Sequence, residues 1–544
     1  MQDILTSQTL WENFDPNAEQ LDIDVIKTTK QGSIITKHLY FTGRKASYGP
    51  TRVFANVCYK GTANGKPAIL VVGSYSKPIN LEQLHDLANR GYVAMAIDFA
   101  GSRDKGLFTL YPLSINYCND AIAPSMFEIT DTARETKIYE YATNACRAIT
   151  YLLQEEKVSE VSVLTVGKGV YVGIIVLGVD KRVSRGVILF GNLFRNYPDP
   201  SDKEKIGMDD DDLSRHIEYD VKRQIWTLGL APQTYALQIK VPLYIITSAN
   251  SEHVDVSVIS KMLHRVNNQS MLLILPTCMD YLTKKYCDGI IDWIKNGGTM
   301  PNTEIKSFFD ESGDYCLKVT TPYPLNKTSV WYCTNADGHS KHWTKANLVE
   351  KDGCFYAKVN LFEKVCNFAA FALMDDKVPT STILFEEKVT AINVKKANNI
   401  IFSGNANQAL IPVCRDGNWW NVDLEPKLAK GYLNIVGSQG KALATFAISD
   451  KSIRINPSFT VGFDVCCNVK QKLSIIAVCK FGEQNEEYSQ STIVAGTGKW
   501  ERVTFDKTNF HRTIDSKPLT VNDNVDVLVV YADNEFIVNN IFLV

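Results

Sequence analysis

The chain has 544 residues, which is too long for one hydrophobic core, so we expect roughly two to four domains. Hydrophobic residues make up 45% and charged residues 22% of it, an ordinary balance for a globular protein. The formal net charge of −2 provides no field that would attract phosphate backbones or anionic lipid. Nucleic acid and membrane are therefore excluded as expected partners, which leaves small molecules, carbohydrate or protein.

The first residues, MQDILTSQTLWENFDP, do not form a basic start followed by an apolar segment. No apolar run approaches the roughly 18 residues of a membrane span. These features predict a cytoplasmic location, and an extracellular one stays open if the sequence is a piece of a longer protein. The 13 cysteines are scattered and contain no Cys-x-x-Cys pair. Reduced, buried thiols are expected, with no metal site and no cofactor.

The first part of the chain alternates buried strands with helices, which predicts a parallel sheet covered on both faces. Two alternating segments, Ile34 to Phe41 and Val53 to Tyr59, are typical of an antiparallel pair. Continuous apolar strands and the helices between them follow, at Ala68 to Gly73, Leu81 to Asn89, Val93 to Ala100 and Thr132 to Gln154.

A glycine-rich corner lies inside the segment Val161 to Gly178, between two apolar runs. The pattern predicts a strand, a sharp turn and a helix, the arrangement on which α/β-hydrolases carry a serine within Gly-x-Ser-x-Gly. The corner here contains Gly167, Lys168 and Gly169, and we align Gly169 with the serine. The scaffold of a nucleophile elbow is thus predicted without its hydroxyl.

The segment Gly191 to Lys240 is polar and is interpreted as an insertion or lid. Its acidic run, Asp209 to Asp212, lacks the spacing of a calcium loop. Two more buried strands, Val241 to Ile246 and Met271 to Leu275, follow before the boundary at Gly297. Beyond this boundary only short alternating strands are predicted. The sequence therefore predicts an α/β domain over 1–300, a small β-sandwich over 301–395 and a second β-sandwich over 396–544.

The first 300 residues resemble α/β-hydrolases of the acetylxylan-esterase and dienelactone-hydrolase type. The resemblance depends on the segments WENFDP at 11–16, YFTG at 40–43, AIDFAG at 96–101 and the glycine corner. It implies a triad in the chain order serine, acid, histidine. The matching positions are Gly169, Ser251 and Asp280, and none carries the expected residue.

Other residues could supply a rearranged site at the same edge of the sheet. Lys168, Glu252 and His253 are candidate substitutes that could hold or move a proton. Backbone N–H groups near Ser74, Tyr75 and Val170 are candidates for binding a carbonyl or carboxylate oxygen.

The last part of the chain is similar to jelly-roll carbohydrate-binding modules, from KWERVTF at 499–505 and VNNIFL at 538–543. Such modules recognise sugars through aromatic faces and polar side chains. The candidate glycan-binding residues are Trp419, Trp420 and Tyr432.

Three functional hypotheses follow. The first is a pseudoenzyme related to carbohydrate and acyl esterases that retains ligand or glycan binding, with an acyl compound or a carbohydrate as its partner. The second is an active esterase or deacylase that acts on acylated glycans or small esters by a rearranged site. The third is a scaffold in which the β domains assemble a homo-oligomer.

Overall fold

The structure is a computed structural model of the chain. It describes residues 4–544 except 47–48, 75–77, 100–105, 113–128, 130–131, 192, 194–220, 252–253, 267–269, 277–281, 337–339, 405–408, 414–424, 482–484 and 521. The chain divides into two compact units. The first unit comprises Met1–Ile246, Ser257–Met271 and Trp293–Thr299, and the second comprises Thr247–Val256, Leu272–Asp292 and Met300–Val544.

Nine strands among the described residues form one mixed sheet in the order β1-β2-β3-β5-β4-β6-β7-β8-β9. The strands are β1 (Asp24–Gln31), β2 (Ile34–Ala46), β3 (Gly49–Lys60), β4 (Pro67–Val72), β5 (Val93–Ile97), β6 (Glu160–Val166), β7 (Val183–Leu189), β8 (Leu243–Ser248) and β9 (Met271–Leu275). Strand β3 is antiparallel to β2 and β5, whereas β5, β4, β6, β7 and β8 run parallel to one another.

Helices connect the parallel strands. They are α1 (Leu81–Asn89), α2 (Lys137–Gln154), α3 (Val170–Val179), α4 (Val221–Ile225), α5 (Pro232–Tyr235), α6 (Val256–Leu263) and α7 (Lys284–Asn296). The side chains of Asn80 and Thr136 cap α1 and α2 by accepting hydrogen bonds from backbone N–H groups of the first turn. No helix in the described part of the chain is long and apolar enough to cross a membrane.

This strand order, with the antiparallel strands β1, β2 and β3 ahead of a parallel series and a glycine turn between β6 and α3, is that of the α/β-hydrolase fold. The fold expected for the first part of the chain is therefore confirmed. Its strands are buried apolar runs because helices leave little of the sheet accessible, and β5, for example, is buried at every position.

The residues after 300 form antiparallel sheets, as expected. A four-stranded sheet has the order β10-β11-β15-β14, and a five-stranded sheet has the order β13-β12-β16-β17 with β18 also paired to β16. Their strands are β10 (Glu304–Phe309), β11 (Tyr315–Thr320), β12 (Thr328–Cys333), β13 (Thr344–Lys345), β14 (Val349–Lys351), β15 (Cys354–Val359), β16 (Val365–Met374), β17 (Thr380–Ser381) and β18 (Phe385–Thr390). Buried side chains from both sheets, such as Leu317 and Phe368, meet in one hydrophobic cluster.

The last strands in the described part of the chain form a ten-stranded sheet built around a long C-terminal strand. The strands are β19 (Ile400–Phe402), β20 (Ile411–Pro412), β21 (Lys427–Lys430), β22 (Val436–Thr445), β23 (Thr460–Cys466), β24 (Gln471–Cys479), β25 (Glu486–Val494), β26 (Trp500–Asp506), β27 (His511–Arg512) and β28 (Val527–Leu543). Strand β28 pairs with β19, β22, β23 and β24, so it joins the greater part of this sheet. A separate hydrophobic cluster fills this region and includes Phe463 and Phe505.

Strand β17 covers the backbone of β9 within the second unit. The N–H of Ile274 donates to Ser381 Oγ at 3.0 Å, and Thr380 Oγ1 donates to the carbonyl oxygen of Leu272 at 3.0 Å. Both hydroxyl side chains are almost fully buried. They satisfy polar groups that an edge strand would otherwise leave unpaired.

Candidate functional site

The corner between β6 and α3 is the feature of the fold on which an α/β-hydrolase would carry its nucleophile. The strand ends at Val166, and Gly167 turns the chain with a φ of 53°. This φ is strained for any residue that has a Cβ, and the nucleophile of such an elbow sits on a strained backbone of this kind. A Cβ added at Gly167 would have no atom within 4 Å, so the corner opens into free space.

Gly169, which we had aligned with the serine, has an ordinary helical φ of −64°. A Cβ added there would lie 2.4 Å from the carbonyl oxygens of both Val72 and Gly73. Gly169 thus allows the start of α3 to approach the end of β4 closely. The structure therefore moves the strained residue of the corner two positions earlier, from Gly169 to Gly167.

Three other candidates of this region lie within the described residues. Lys168 occupies the turn itself and is half-buried. The N–H of Val170 donates to the carbonyl oxygen of Gly167, so it serves the turn and is not directed at a ligand. Ser74 is half-buried and lies two residues after the end of β4. Tyr75 lies outside the described residues.

The loop after β8, in which a hydrolase of this fold would carry its acid, is bound by a later segment of the second unit. Asn250 Nδ2 donates to the carbonyl oxygen of Lys341 at 2.6 Å, and the N–H of Lys341 donates back to Asn250 Oδ1 at 3.1 Å. Trp343 Nε1 donates to the carbonyl oxygen of Ala249 at 3.3 Å. Asn250, Lys341 and Trp343 are all buried, so these bonds clamp the loop.

Ser251, the residue at the acid position, follows this clamp and is half-buried. Its N–H donates to the carbonyl oxygen of Ser248 at 3.4 Å, which closes a turn. The candidates Glu252, His253 and Asp280 lie outside the described residues. Within the described part of the chain, no group of three or more His, Cys, Asp or Glu residues could hold a metal ion.

A buried arginine of α2 organises the N-terminal segment of the first unit. The guanidinium of Arg147 donates to the carbonyl oxygens of Pro16, Glu19, Gln20 and Thr42 at 2.7–3.2 Å. Burial is the largest influence on this guanidinium and lowers the pKa of Arg147. A cavity of about 290 Å³ lies beside it, and Arg147 is one of its walls. With its donors committed to backbone carbonyls, Arg147 has a structural role.

One of the three candidate glycan-binding residues is described. Tyr432 is 42% exposed at the tip of the hairpin between β21 and β22. Its carbonyl oxygen accepts a hydrogen bond of 2.9 Å from Trp500 Nε1, and the ammonium of Lys499 lies 5.9 Å from the centroid of its ring. Trp419 and Trp420 lie outside the described residues, as does the acidic run Asp209 to Asp212.

Comparisons with known proteins give resemblances in structure alone. No protein-family model matches the chain, and no curated protein matches it. The chain is similar to an acetyl xylan esterase from Paenibacillus sp. R4, with 16% identity, 48% of this chain and 84% of that chain covered, and a TM-score of 0.34. It is also similar to acetyl xylan esterase 1 from Thermoanaerobacterium sp. JW/SL YS485, with 14% identity, 48% of this chain and 82% of that chain covered, and a TM-score of 0.34. A third similar structure is a CE15 glucuronoyl esterase from Teredinibacter turnerae T7901, with 11% identity, 48% of this chain and 73% of that chain covered, and a TM-score of 0.31.

Proposed function

We propose that this chain is a binding protein whose α/β-hydrolase fold does not cleave esters by a serine, histidine and acid mechanism. The observation that carries the proposal is the glycine at the strained corner, Gly167, where the fold would present its nucleophile. A covalent acyl intermediate needs a hydroxyl or thiol at this point, and glycine has neither. In a comparable triad, loss of the nucleophile lowers kcat by about 10⁶.

The neighbouring geometry supports the same proposal. A serine at Gly169 could not replace the missing one, because its Cβ would overlap with two backbone carbonyl oxygens. The loop that would carry the acid is fixed by Lys341 and Trp343, and the residue at the acid position is Ser251. Neither Gly169 nor Ser251 supplies the side chain that its position in the triad requires.

The binding function is assigned to the β-rich part of the chain. We infer that residues 301–395 form a small β-sandwich and that residues 396–544 form a jelly-roll-like sandwich that binds carbohydrate. The resemblance of the last segment to carbohydrate-binding modules supports this inference, and so does the exposed ring of Tyr432. The acyl compound considered above would be a second ligand class for the hydrolase fold.

Ester turnover tests the loss of catalysis. Purified full-length chain is incubated with p-nitrophenyl acetate, with and without a fluorophosphonate that labels reactive serines, beside an active serine esterase as control. We expect turnover at the solvent background and no labelled peptide. Turnover that the fluorophosphonate abolishes would refute the proposal and favour the rearranged esterase. Mass spectrometry would then identify the labelled serine, and Ser74, two residues after the end of β4, is the first candidate.

A further inference from the structure

A polar cavity of about 510 Å³ lies beside the hairpin of β21 and β22 in the second unit. Its walls come from segments that are far apart in the sequence. The residues that give it its chemical character are Lys430, Tyr432, Gln439, Asn468, Asn534 and Glu535. Residues with amide, ammonium, carboxylate and phenol groups therefore line one concave surface.

A bulge in the long C-terminal strand provides one wall of this cavity. Gly440 of β22 pairs with Phe536 and Ala442 pairs with Tyr531, so the four residues 532–535 lie opposite Lys441 alone. Bulges change the direction of side chains and are frequent beside functional sites. Here the bulge contributes Asn534 and Glu535 to the cavity.

Hydrogen bonds hold this bulge in place. The N–H of Asn534 donates to Gln471 Oε1 at 2.9 Å, and Gln439 Nε2 donates to Glu535 Oε2 at 3.1 Å. The carboxylate of Glu535 is thereby oriented by a neighbouring wall residue. The polar surface of the cavity is organised before any ligand binds, which lowers the cost of binding.

The hairpin that contributes Gly431 and Tyr432 to the cavity has a strained tip. Leu433 and Asn434 both have positive φ values, of 57° and 58°, and a bulky residue such as leucine rarely adopts this conformation. Trp500 fixes the tip, because its Nε1 donates to the carbonyl oxygen of Tyr432 and its ring leaves no room for a Cβ at Gly431. This strained backbone directly follows Tyr432, a wall residue of the cavity, and such strain clusters at binding sites.

We propose that this cavity is the saccharide-binding site of the chain, which rests on the carbohydrate-binding function proposed above. Sugar hydroxyl groups both donate and accept hydrogen bonds, and the amides of Gln439, Asn468 and Asn534 match them in both roles. The ring of Tyr432, a residue that is 42% exposed, receives the C–H surface of a pyranose ring on the side away from Lys499. The two charged wall residues, Lys430 and Glu535, have opposite signs, so no net charge of the wall opposes a neutral ligand.

Affinity electrophoresis of the full-length chain tests this site. The protein migrates through native gels that contain soluble xylan, mixed-linkage β-glucan, galactomannan or amylopectin, beside gels without polysaccharide. The variants are Tyr432→Ala and Asn534→Ala, with Phe308→Ala as the matched control. Phe308 has a similar exposure of 40%, but it lies on β10 in a different sheet and is not a wall of the cavity. Thermal melting verifies that each variant is folded. We expect this because the substituted side chains are exposed.

We expect at least one polysaccharide to retard the native chain and the Phe308→Ala variant equally. Tyr432→Ala should raise the dissociation constant about tenfold, and Asn534→Ala should also raise it. Unchanged retardation of both cavity variants would overturn the site while leaving carbohydrate binding in place. Absence of retardation of the native chain in every gel would overturn both the site and the proposed carbohydrate binding. The ester-turnover result is independent of either outcome.

Discussion

The glycines of the elbow have different physical roles, and serine substitutions separate them. Gly167 needs a positive φ but has open space around it, whereas Gly169 has an ordinary φ but no space. We therefore predict that Gly167→Ser is tolerated and that Gly169→Ser is strongly destabilising. Gly32, in the turn between β1 and β2, has a φ of 59° and no atom within 4 Å of an added Cβ, so Gly32→Ser is the matched control.

The magnitudes follow from these geometries. A residue other than glycine in the left-handed region costs about 1–2 kcal/mol, which applies equally to Gly167→Ser and Gly32→Ser. At Gly169 the added Cβ lies 2.4 Å from two oxygens, against at least 3.4 Å for an ordinary contact, so backbone must move by about 1 Å. Overpacking costs about 1–3 kcal/mol, and we expect the upper end or more because the obstacles are backbone atoms.

Calorimetric unfolding of the full-length chain measures the difference. The transition that shifts in Gly32→Ser identifies the unfolding of the first unit. A loss of 1 kcal/mol lowers the Tm of a domain of this size by about 2–4 °C. Gly32→Ser and Gly167→Ser should shift that transition alike, and Gly169→Ser should shift it at least about twice as far or yield no folded protein. If Gly169→Ser were as stable as Gly167→Ser, the result would contradict the close packing of Gly169 against the end of β4.

Three further predictions concern stability. Arg147→Ala should lower the free energy of unfolding by about 3 kcal/mol or more, because four carbonyl oxygens lose a charged donor. Limited proteolysis should then cleave within residues 16–20, and Arg147→Lys should restore protection only in part. Asn250→Ala should speed hydrogen exchange of residues 341–343 without affecting exchange in β28, and unchanged exchange would contradict the clamp. Burial alone would raise the pKa of Asp464, but hydrogen bonds from Arg502 and Asn540 outweigh it and lower the pKa below its usual value. Asp464→Asn should therefore lower the free energy of unfolding by about 0.5 kcal/mol at neutral pH. The difference from the native chain should shrink as the pH falls below the usual pKa of an aspartate and then through the lowered pKa of Asp464. A difference in thermal stability that stays constant from pH 7 to pH 2 would count against this prediction.

Buried parallel strands were the part of the fold that could be predicted from sequence. Their apolar runs have no polar interruption, so Met271 to Leu275 coincides with β9 and Val93 to Ala100 contains β5. The long C-terminal strand was harder to predict from sequence. The polar segment ADNE at 532–535 is typical of a turn between two strands, whereas the structure forms one strand, Val527–Leu543, that accommodates the segment as a bulge. A turn and a bulge use similar residues, so composition does not distinguish them.

The corner and the cavity show why site residues are harder to predict than strands. Glycines at 167, 169 and 173 all fit a glycine-rich turn, and only the backbone dihedral angles reveal which of them is strained. The cavity joins residues from 430 to 537, and no local pattern links Lys430 with Glu535. An early signal was the tip itself, since Tyr432 precedes leucine and asparagine in a short hairpin loop.

The hydroxyl groups of Thr380 and Ser381 have a practical consequence for anyone who divides this chain. A fragment that ends near residue 300 would keep β9 but lose the two side chains that bond to Leu272 and Ile274. Its outermost strand would offer unused N–H and C=O groups to any extended peptide, including another copy of the fragment. Such a fragment is expected to precipitate on expression, so a soluble shorter version must retain the chain at least through Ser381.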